Sequence, residues 1–546
     1  MVYCGKPSGA CHACRERRTR CDKLPDGCTQ CANARRVCPG YRALGDVLFK
    51  NVTTNVIRKA KAGEVRAKQA ASRSASHTPR TTTEDGDADE DQEGMEVVAQ
   101  TSPPEIFSLI PTIDERATGF FVANYVVGAD GIQRGHLDYV ADIFRQGNVD
   151  EGLLAGMKAV GLAGFAHTSR SPALIKNARH QYVRAIQHTN RALQTTTGAK
   201  KDATLLTIII LGIFESIIGG TQSSLRDWVA HVNGAADVIK VRGQAGIETM
   251  QGRRMLLQVT SNLLISCIQR AEPVPPHISE LLYSTIESIR SIDPARRPTF
   301  GEPGFVVLES MMRFAQLRSD VVHLRETNPH VIMARCLELD TILEAVAANP
   351  QPAWRVQTVV TNVQSDYVYR GRYHVYADNI VSQSWNGLRI IRFMVNEIIR
   401  DLMTKGATPH TPRLEGAQFA DQLQRSIAVM YAVQDEILYS IPQHLGAVPE
   451  EPGHPDTARA LNDDSLARSV WIDFRAGVDE RPLARISGAL FLIWPMWFVG
   501  VNDTASEEIR RFVVRNLRLV GDKMGIQQAY LLAMSVEQQI DIEVSA

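Results

Sequence analysis

Apolar residues recur with a helical period over most of the chain, and strand-like alternation is nearly absent. One helical stretch begins at Ser171, a suitable N-cap, with Pro172 at the first helical position. The residues on one face of this stretch are Leu174, Ala178, Tyr182, Ala185, Thr189 and Leu193. Another begins with the capping box Thr504-x-x-Glu507 and is expected to bury Ile509, Phe512, Val513 and Leu517. Periodicity predicts about fifteen helices, so the fold class is mostly α with a large all-α domain.

Two apolar runs need separate attention because they could suggest membrane spans. Thr204–Gly220 is short for a span and contains Glu215, and Ala489–Val501 is shorter still and contains Pro495. A transmembrane helix needs about 20 apolar residues, so both runs are interpreted as buried core helices. The first residues lack the apolar segment of a secretory signal. We therefore expect no membrane partner.

Charge divides the chain more sharply than its zero formal net charge suggests. Residues 1–80 carry 17 basic and 5 acidic side chains, whereas residues 81–96 carry 8 acidic and no basic ones. A basic head on a near-neutral body indicates an anionic partner at the N-terminus, either nucleic acid or a membrane surface.

Composition also predicts the domain organisation. A Ser/Thr/Pro-rich and then acidic segment cannot bury enough apolar surface to become ordered. The expected parts are a disordered N-terminus (1–10), a cysteine-rich module (11–42), a basic helical linker (43–72), a disordered acidic and Pro-rich linker (73–104) and an all-helical domain (105–546).

Seven of the nine cysteines fall within the first 38 residues, and six of them form two identical C-x(2)-C-x(6)-C halves. These six are Cys11, Cys14, Cys21, Cys28, Cys31 and Cys38. Zinc in structural sites takes four ligands, so six thiolates serve two ions only if two sulfurs are shared. The symmetry of the halves assigns the shared positions to Cys11 and Cys28. A three-disulfide domain is the main alternative, but nothing in the sequence indicates an oxidising compartment.

Basic side chains occupy the spaces between these cysteines. From Cys11 to Arg42 there are eight basic and three acidic residues and few apolar ones. Such a module cannot fold around a hydrophobic core, so bound metal must supply its folding energy. The arginines then remain available for guanine edges and phosphates in duplex DNA.

The segment ACHACRERRTRCDKLPDGCTQCANARRVCPGYR resembles the fungal binuclear zinc-cluster DNA-binding domain. The resemblance implies two zinc ions bridged by the first and fourth cysteines, and a first helix that enters the major groove to read a CGG-type triplet. It assigns base reading to Arg18 with Arg17 beside it. It assigns phosphate or secondary contacts to Arg15, Arg20 and Lys23.

The helical body also resembles a known family, the fungal-specific regulatory domain that accompanies such clusters. The segments that carry this resemblance are Leu225–Gly243 and Ile486–Val501. Trp228, His231, Trp494 and Trp497 lie in these segments. We interpret them as packing residues of a helical core.

No enzyme motif was found: the sequence contains no P-loop, no H-E-x-x-H and no G-x-S-x-G. No catalytic residue is therefore assigned. The sequence predicts a nuclear regulator of RNA polymerase II transcription that binds CGG-type half-sites, possible homodimerisation, and contacts with co-regulators. The resemblance adds a metabolic or secondary-metabolite pathway as the regulated target. The alternatives are a zinc-dependent protein- or RNA-interaction module on a helical scaffold, and an enzyme in the helical body with a DNA-tethering head.

Overall fold

The computed structural model describes two units, which are divided between Ile110 and Pro111. In the N-terminal unit it describes residues 11, 13, 14, 17, 19, 21, 22, 28–36 and 38. In the body it describes residues 111–126, 137–147, 149–291, 301–362, 364–446 and 483–545. The predicted N-terminal tail and both predicted linkers lie outside the described residues, so they remain predictions.

The described part of the N-terminal unit contains one regular helix, α1 (Thr29–Asn33). Cys11, Cys14, Cys28 and Cys31 are buried, and the small side chain of Ala13 packs against them. Sulfur atoms thus occupy the interior in this part of the chain, where a larger domain would place aliphatic side chains.

The body is mostly helical, which confirms the predicted fold class. Its described α-helices are α2 (Ile113–Tyr125), α3 (Val140–Arg145), α4 (Glu151–Ser169), α5 (Pro172–Ala192), α6 (Thr196–Ala199), α7 (Asp202–Ile218), α8 (Gln222–Arg242), α9 (Met250–Arg270), α10 (Pro276–Arg290), α11 (Gly301–Val322), α12 (Pro329–Ala348), α13 (Asn379–Thr404), α14 (Ala420–Tyr439), α15 (Ile441–His444), α16 (Leu483–Val501), α17 (Glu507–Met524) and α18 (Gln528–Ser545). Short 3-10 helices cover Gln244–Ile247, Pro352–Trp354 and Ala417–Phe419.

Short-range signals in the sequence set where several helices begin. Thr112 and Glu115 form a reciprocal capping box at α2, in which the Glu115 carboxylate accepts from the Thr112 N–H at 2.7 Å. Asp150 accepts from the Leu153 N–H at the start of α4. Pro172 occupies the first turn of α5, directly after the predicted N-cap Ser171.

The predicted start of α17 is wrong by two residues. Ser506, not Thr504, caps this helix and accepts from the Ile509 N–H, while the Thr504 hydroxyl donates to Gln434 on α14. A tertiary hydrogen bond thus competes with the local cap that the sequence suggested. The predicted buried face is confirmed, since Ile509, Phe512, Val513 and Leu517 are all buried.

Helix α7 forms the centre of the first half of the body. It packs between α4, α5 and α8, which explains why almost every one of its side chains is apolar and buried. The interpretation of Thr204–Gly220 as a core helix is confirmed. In the second half, α13 packs against α12 and α14, and α16, α17 and α18 pack against one another.

None of the helices in the described part of the chain combines the length and apolar character needed to cross a membrane.

One feature that the periodicity did not predict is a small antiparallel hairpin formed by β1 (Gln357–Val360) and β2 (Arg372–Val375). Gly371, at the end of the connecting segment, has φ +68°, and an added Cβ would lie 2.8 Å from the Thr361 carbonyl oxygen. This turn therefore needs glycine.

Strand β2 leads into a buried polar cluster centred on Arg389 of α13, whose side chain is 1% exposed. Its guanidinium donates to Glu436 of α14 at 2.9 Å, to the Tyr376 hydroxyl at 2.6 Å and to Nδ1 of His374 at 3.3 Å. Burial and the nearby Arg389 lower the pKa of His374 to about 3, so the ring is neutral and can accept this hydrogen bond. The cluster joins α13, α14 and the hairpin.

Replacing Arg389 with methionine should lower the free energy of unfolding by about 3 kcal/mol, because buried polar partners lose their only charged donor within the cluster. Chemical denaturation followed by circular dichroism measures this change. The control Arg511→Ala removes an exposed ion pair with Glu507 and should cost less than about 0.5 kcal/mol. Equal effects of the two substitutions would contradict the structural role of Arg389.

A second buried ionisable group is Glu215 on α7. Burial raises its pKa to about 7, despite a hydrogen bond with Tyr182 that lowers it. The folded protein therefore binds this proton more tightly than the unfolded chain does. The Glu215 contribution to stability falls as pH rises from about 4.5 to about 7, and the total loss is about 3 kcal/mol.

We expect Glu215→Gln to raise the melting temperature at pH 8 and to leave it nearly unchanged at pH 4.5, since glutamine has no charge to desolvate. Thermal unfolding at the two pH values checks this prediction. The exposed Glu507→Gln is the matched control and should not show the same pH-dependent gain. A Glu215→Gln gain of equal size at both pH values would show that charge burial is not the cause.

Candidate metal centre

Six sulfur atoms lie together in the N-terminal unit as two overlapping groups of four. One group comprises Cys11, Cys14, Cys21 and Cys28, and the other comprises Cys11, Cys28, Cys31 and Cys38. Within each group all sulfur atoms lie within 4.8 Å of one another. Cys11 and Cys28 belong to both groups. These are the two positions that the symmetry of the sequence assigned as shared.

The distances between sulfur atoms suit tetrahedral coordination. Cys11 Sγ lies 3.6 Å from Cys28 Sγ and 3.7 Å from Cys31 Sγ, and Cys14 Sγ lies 3.6 Å from Cys28 Sγ. Ligands around a tetrahedral zinc with Zn–S bonds of about 2.3 Å would lie about 3.8 Å apart. The donor set is all sulfur, which zinc prefers in closed structural sites. The cluster is therefore capable of binding metal and is consistent with zinc.

The protonation of the thiols depends on their crowding. A hydrogen bond from the Cys14 backbone lowers the pKa of Cys11, but burial and the sulfurs of Cys14 and Cys31 outweigh it and raise this pKa to about 12. Burial, together with the neighbouring sulfurs, raises the pKa of Cys28 well above its usual value. Metal binding must therefore displace protons from these thiols, since thiolates are the ligand form.

Backbone hydrogen bonds repeat between the two halves with an offset of 17 residues, the separation of Cys11 and Cys28. The Arg17 N–H donates to the Ala13 carbonyl at 3.3 Å, and the Ala34 N–H donates to the Gln30 carbonyl at the same distance.

A second pair of hydrogen bonds follows the same offset. The Thr19 N–H donates to Cys14 and the Arg36 N–H to Cys31, both at 3.0 Å. Each C-x(2)-C pair thus begins a similar helical turn, and the sequence symmetry corresponds to a structural one.

Asp22 is a residue of this site that the sequence analysis missed. Its carboxylate oxygens accept from the Thr29 N–H at 3.1 and 3.2 Å and from the Thr29 hydroxyl. A carboxylate at the first turn of α1 satisfies a backbone donor and interacts favourably with the helix dipole. Asp22 thereby ties the first half of the module to the second. Its position directly after Cys21, in a module with few acidic residues, was the available signal.

Of the five residues predicted to contact DNA, the structure describes Arg17, which is exposed. Arg15, Arg18, Arg20 and Lys23 lie outside the described residues. Arg35 and Arg36 in the second half are also exposed, and Arg35 has φ +51°, a left-handed conformation at the end of the α1 turn. The described surface of the module thus carries guanidinium groups around an interior of sulfur.

Comparison with known proteins concerns the body. Residues 148–269 match the family model of the fungal specific transcription factor domain. This match supports a fungal transcription factor. It contains Leu225–Gly243, one of the two segments that carried the resemblance, whereas Ile486–Val501 and the cysteine module lie outside it. Searches of curated proteins and of solved structures found no match.

The matched region spans α4 to α9, including the central helix α7. The matched family suggests a non-enzymatic role for these residues. Trp228 is buried on α8 and packs at 5.8 Å, ring centre to ring centre, from Trp494 of α16, which in turn lies 5.7 Å from Trp497. These tryptophans pack against the core, as interpreted from the sequence.

The sharing of sulfurs gives a prediction about metal content. The purified full-length protein should contain two zinc ions per chain. Cys28→Ser, which removes a ligand common to both groups, should reduce the content below one. Cys21→Ser, which affects one group, should retain about one ion. Elemental analysis of the purified variants measures these contents.

Cys267→Ser is the matched control, because Cys267 is buried in the body and belongs to neither group. It should keep both ions. Equal zinc loss from Cys28→Ser and Cys267→Ser, or a wild-type content below two, would contradict the shared-sulfur arrangement.

Proposed function

We propose that the protein is a sequence-specific DNA-binding regulator of RNA polymerase II transcription, which reads CGG-type triplets through a binuclear zinc cluster. The observation that carries this proposal is the pair of four-sulfur groups with Cys11 and Cys28 in common. The family match at residues 148–269 supports the regulatory role independently, because it lies in a different unit.

The six cysteines would hold two zinc ions, whose binding supplies the folding energy that the module's few apolar residues do not. With the interior taken by sulfur, the described arginines of the module, Arg17, Arg35 and Arg36, are exposed. Arg17 and Arg18 would then pair with guanine O6 and N7 in the major groove. Arg15, Arg20 and Lys23 would contact phosphates or make secondary contacts.

The N-terminal 80 residues carry 17 basic and only 5 acidic side chains, so their charge favours a polyanion as partner. Duplex DNA matches that charge, and counterion release from its phosphates makes the binding salt-dependent. The proposed location is accordingly the nucleus. The proposed partners of the body are co-regulators and a second copy of the chain. The regulated target would be a metabolic or secondary-metabolite pathway.

The base-reading assignment is tested with Arg18→Ala. Loss of a bidentate contact to guanine costs about 1–3 kcal/mol, so affinity for a CGG duplex should fall by about 5- to 150-fold. Fluorescence anisotropy with the full-length protein at fixed salt measures the affinity. A change of less than about twofold would show that Arg18 does not read the triplet.

Lys23→Ala provides the matched comparison for a phosphate contact. It should weaken binding to CGG and scrambled duplexes alike, and it should reduce the salt slope by about 0.9. Competition with scrambled duplex and with single-stranded RNA separates the main alternative. An RNA- or protein-interaction module would show no preference for the CGG duplex.

A further inference from the structure

The body contains a cavity of about 910 Å³ that the metal centre and the proposed DNA contacts do not use. Helices α7, α8, α9, α11, α13, α16 and α18 all contribute to its wall. The cavity is partly open to solvent, so it is a cleft between helices and not a void in the core. It falls in the range of small-molecule binding sites.

Most of the wall is aliphatic or aromatic. Helix α7 contributes Ile209 and Ile213, and the edge-to-face pair Trp494 and Trp497 on α16 forms an aromatic corner with Trp228 of α8. The Trp497 indole N–H already donates to the Ser535 hydroxyl at 2.7 Å. Because these rings present apolar surface to the cavity, a ligand that complements them is largely apolar.

The polar groups of the wall are mostly committed to protein partners. His231 pairs with the Tyr182 hydroxyl at 2.9 Å, and burial lowers the pKa of this histidine to about 4, so the ring is neutral. The Tyr139 hydroxyl donates to Gln258 at 2.7 Å.

The charged groups of the wall also have partners. Arg254 lies 3.6 Å from Asp138, and Glu397 lies 3.9 Å from Arg400. Arg253 and Arg318 each donate to a backbone carbonyl at 2.8 Å. Arg253 and Arg318 thus each contact a neutral carbonyl oxygen, and within the described part of the chain neither has a carboxylate within 4 Å.

Gln528, at the start of α18, is a buried polar residue of the wall, with 2% of the residue exposed. Its Oε1 atom has no hydrogen-bond partner within the described structure, but the atom itself is inaccessible to solvent. An occupant of the cavity would therefore not contact this atom, and the class of ligand follows from the volume and the aromatic wall.

We propose that this cavity is a binding site for a largely apolar small molecule of aromatic character. The volume and the aromatic corner of Trp228, Trp494 and Trp497 each point to this class of ligand. The site does not depend on the proposed reading of DNA.

The test uses the full-length protein and N-phenyl-1-naphthylamine, a neutral fluorescent probe with two aromatic groups and a single N–H donor. Three tryptophans line the cavity, so bound probe should accept energy from tryptophan. Saturable energy transfer with a micromolar dissociation constant is expected. Absence of saturable transfer would overturn the proposal.

Gly387→Phe tests the location. An added Cβ at Gly387 meets Met311 and Val307 at ordinary distances of 3.5 and 3.7 Å, and the ring would enter the cavity. Probe affinity should fall at least tenfold. The matched control is Gly119→Phe, at an exposed position of α2 where an added Cβ meets nothing within 4 Å, and it should bind the probe as wild type does.

Circular dichroism and melting temperature establish that the variants fold. If Gly387→Phe does not fold, Ile265→Trp fills the same cavity from α9 and serves in its place. Wild-type affinity in a folded cavity-filling variant would place the probe elsewhere and overturn the proposal.

Arg18→Ala tests whether the cavity is separate from DNA binding. This variant should bind the probe with wild-type affinity, because the residues that line the cavity belong to the body. A clearly lower probe affinity in Arg18→Ala would overturn the proposal.

Discussion

The sharing of Cys11 and Cys28 between two four-sulfur groups is the constraint on which the N-terminal unit depends. Each half of the module supplies three cysteines, which is one too few for a tetrahedral site, so neither half can complete a site alone. Joining the halves through two common sulfurs satisfies both groups and brings the two helical turns together. The carboxylate of Asp22 reinforces this joint by accepting hydrogen bonds from Thr29 in the other half.

The interactions that stabilise the body differ from those of the N-terminal unit. Its central helix α7 is buried on nearly all sides by α4, α5 and α8, so its stability comes from removal of apolar surface from water. Farther along the chain, polar side chains hold the packing in one arrangement. Arg389 links α13 to α14 and to the hairpin through charge-assisted hydrogen bonds, with its guanidinium fully buried. Removing any one partner leaves the others unsatisfied, which gives such clusters their specificity.

The two units are suited to different kinds of binding. Small metal-folded modules offer little interior volume, so they can present charged side chains but cannot enclose a ligand. A large helical body can form a cleft for one, and here seven helices line a cavity of about 910 Å³. The proposed metal-dependent recognition and the proposed binding of a small molecule are chemically separate tasks, and the residues assigned to them lie in separate units.

The sequence by itself determined the helical class, the pairing of the two cysteine halves and the identity of the shared sulfurs, because these follow from periodicity and from counting ligands at fixed spacing. It also identified the core character of α7. Tertiary contacts alone decided that Ser506 rather than Thr504 caps α17, that a hairpin forms around Gly371, and that Asp22 bridges the halves. They also decided that Trp228, Trp494 and Gln528, which lie far apart in sequence, border one cavity. The local sequence pattern shows which face of a helix or strand is apolar, but it does not show which distant element that face will contact.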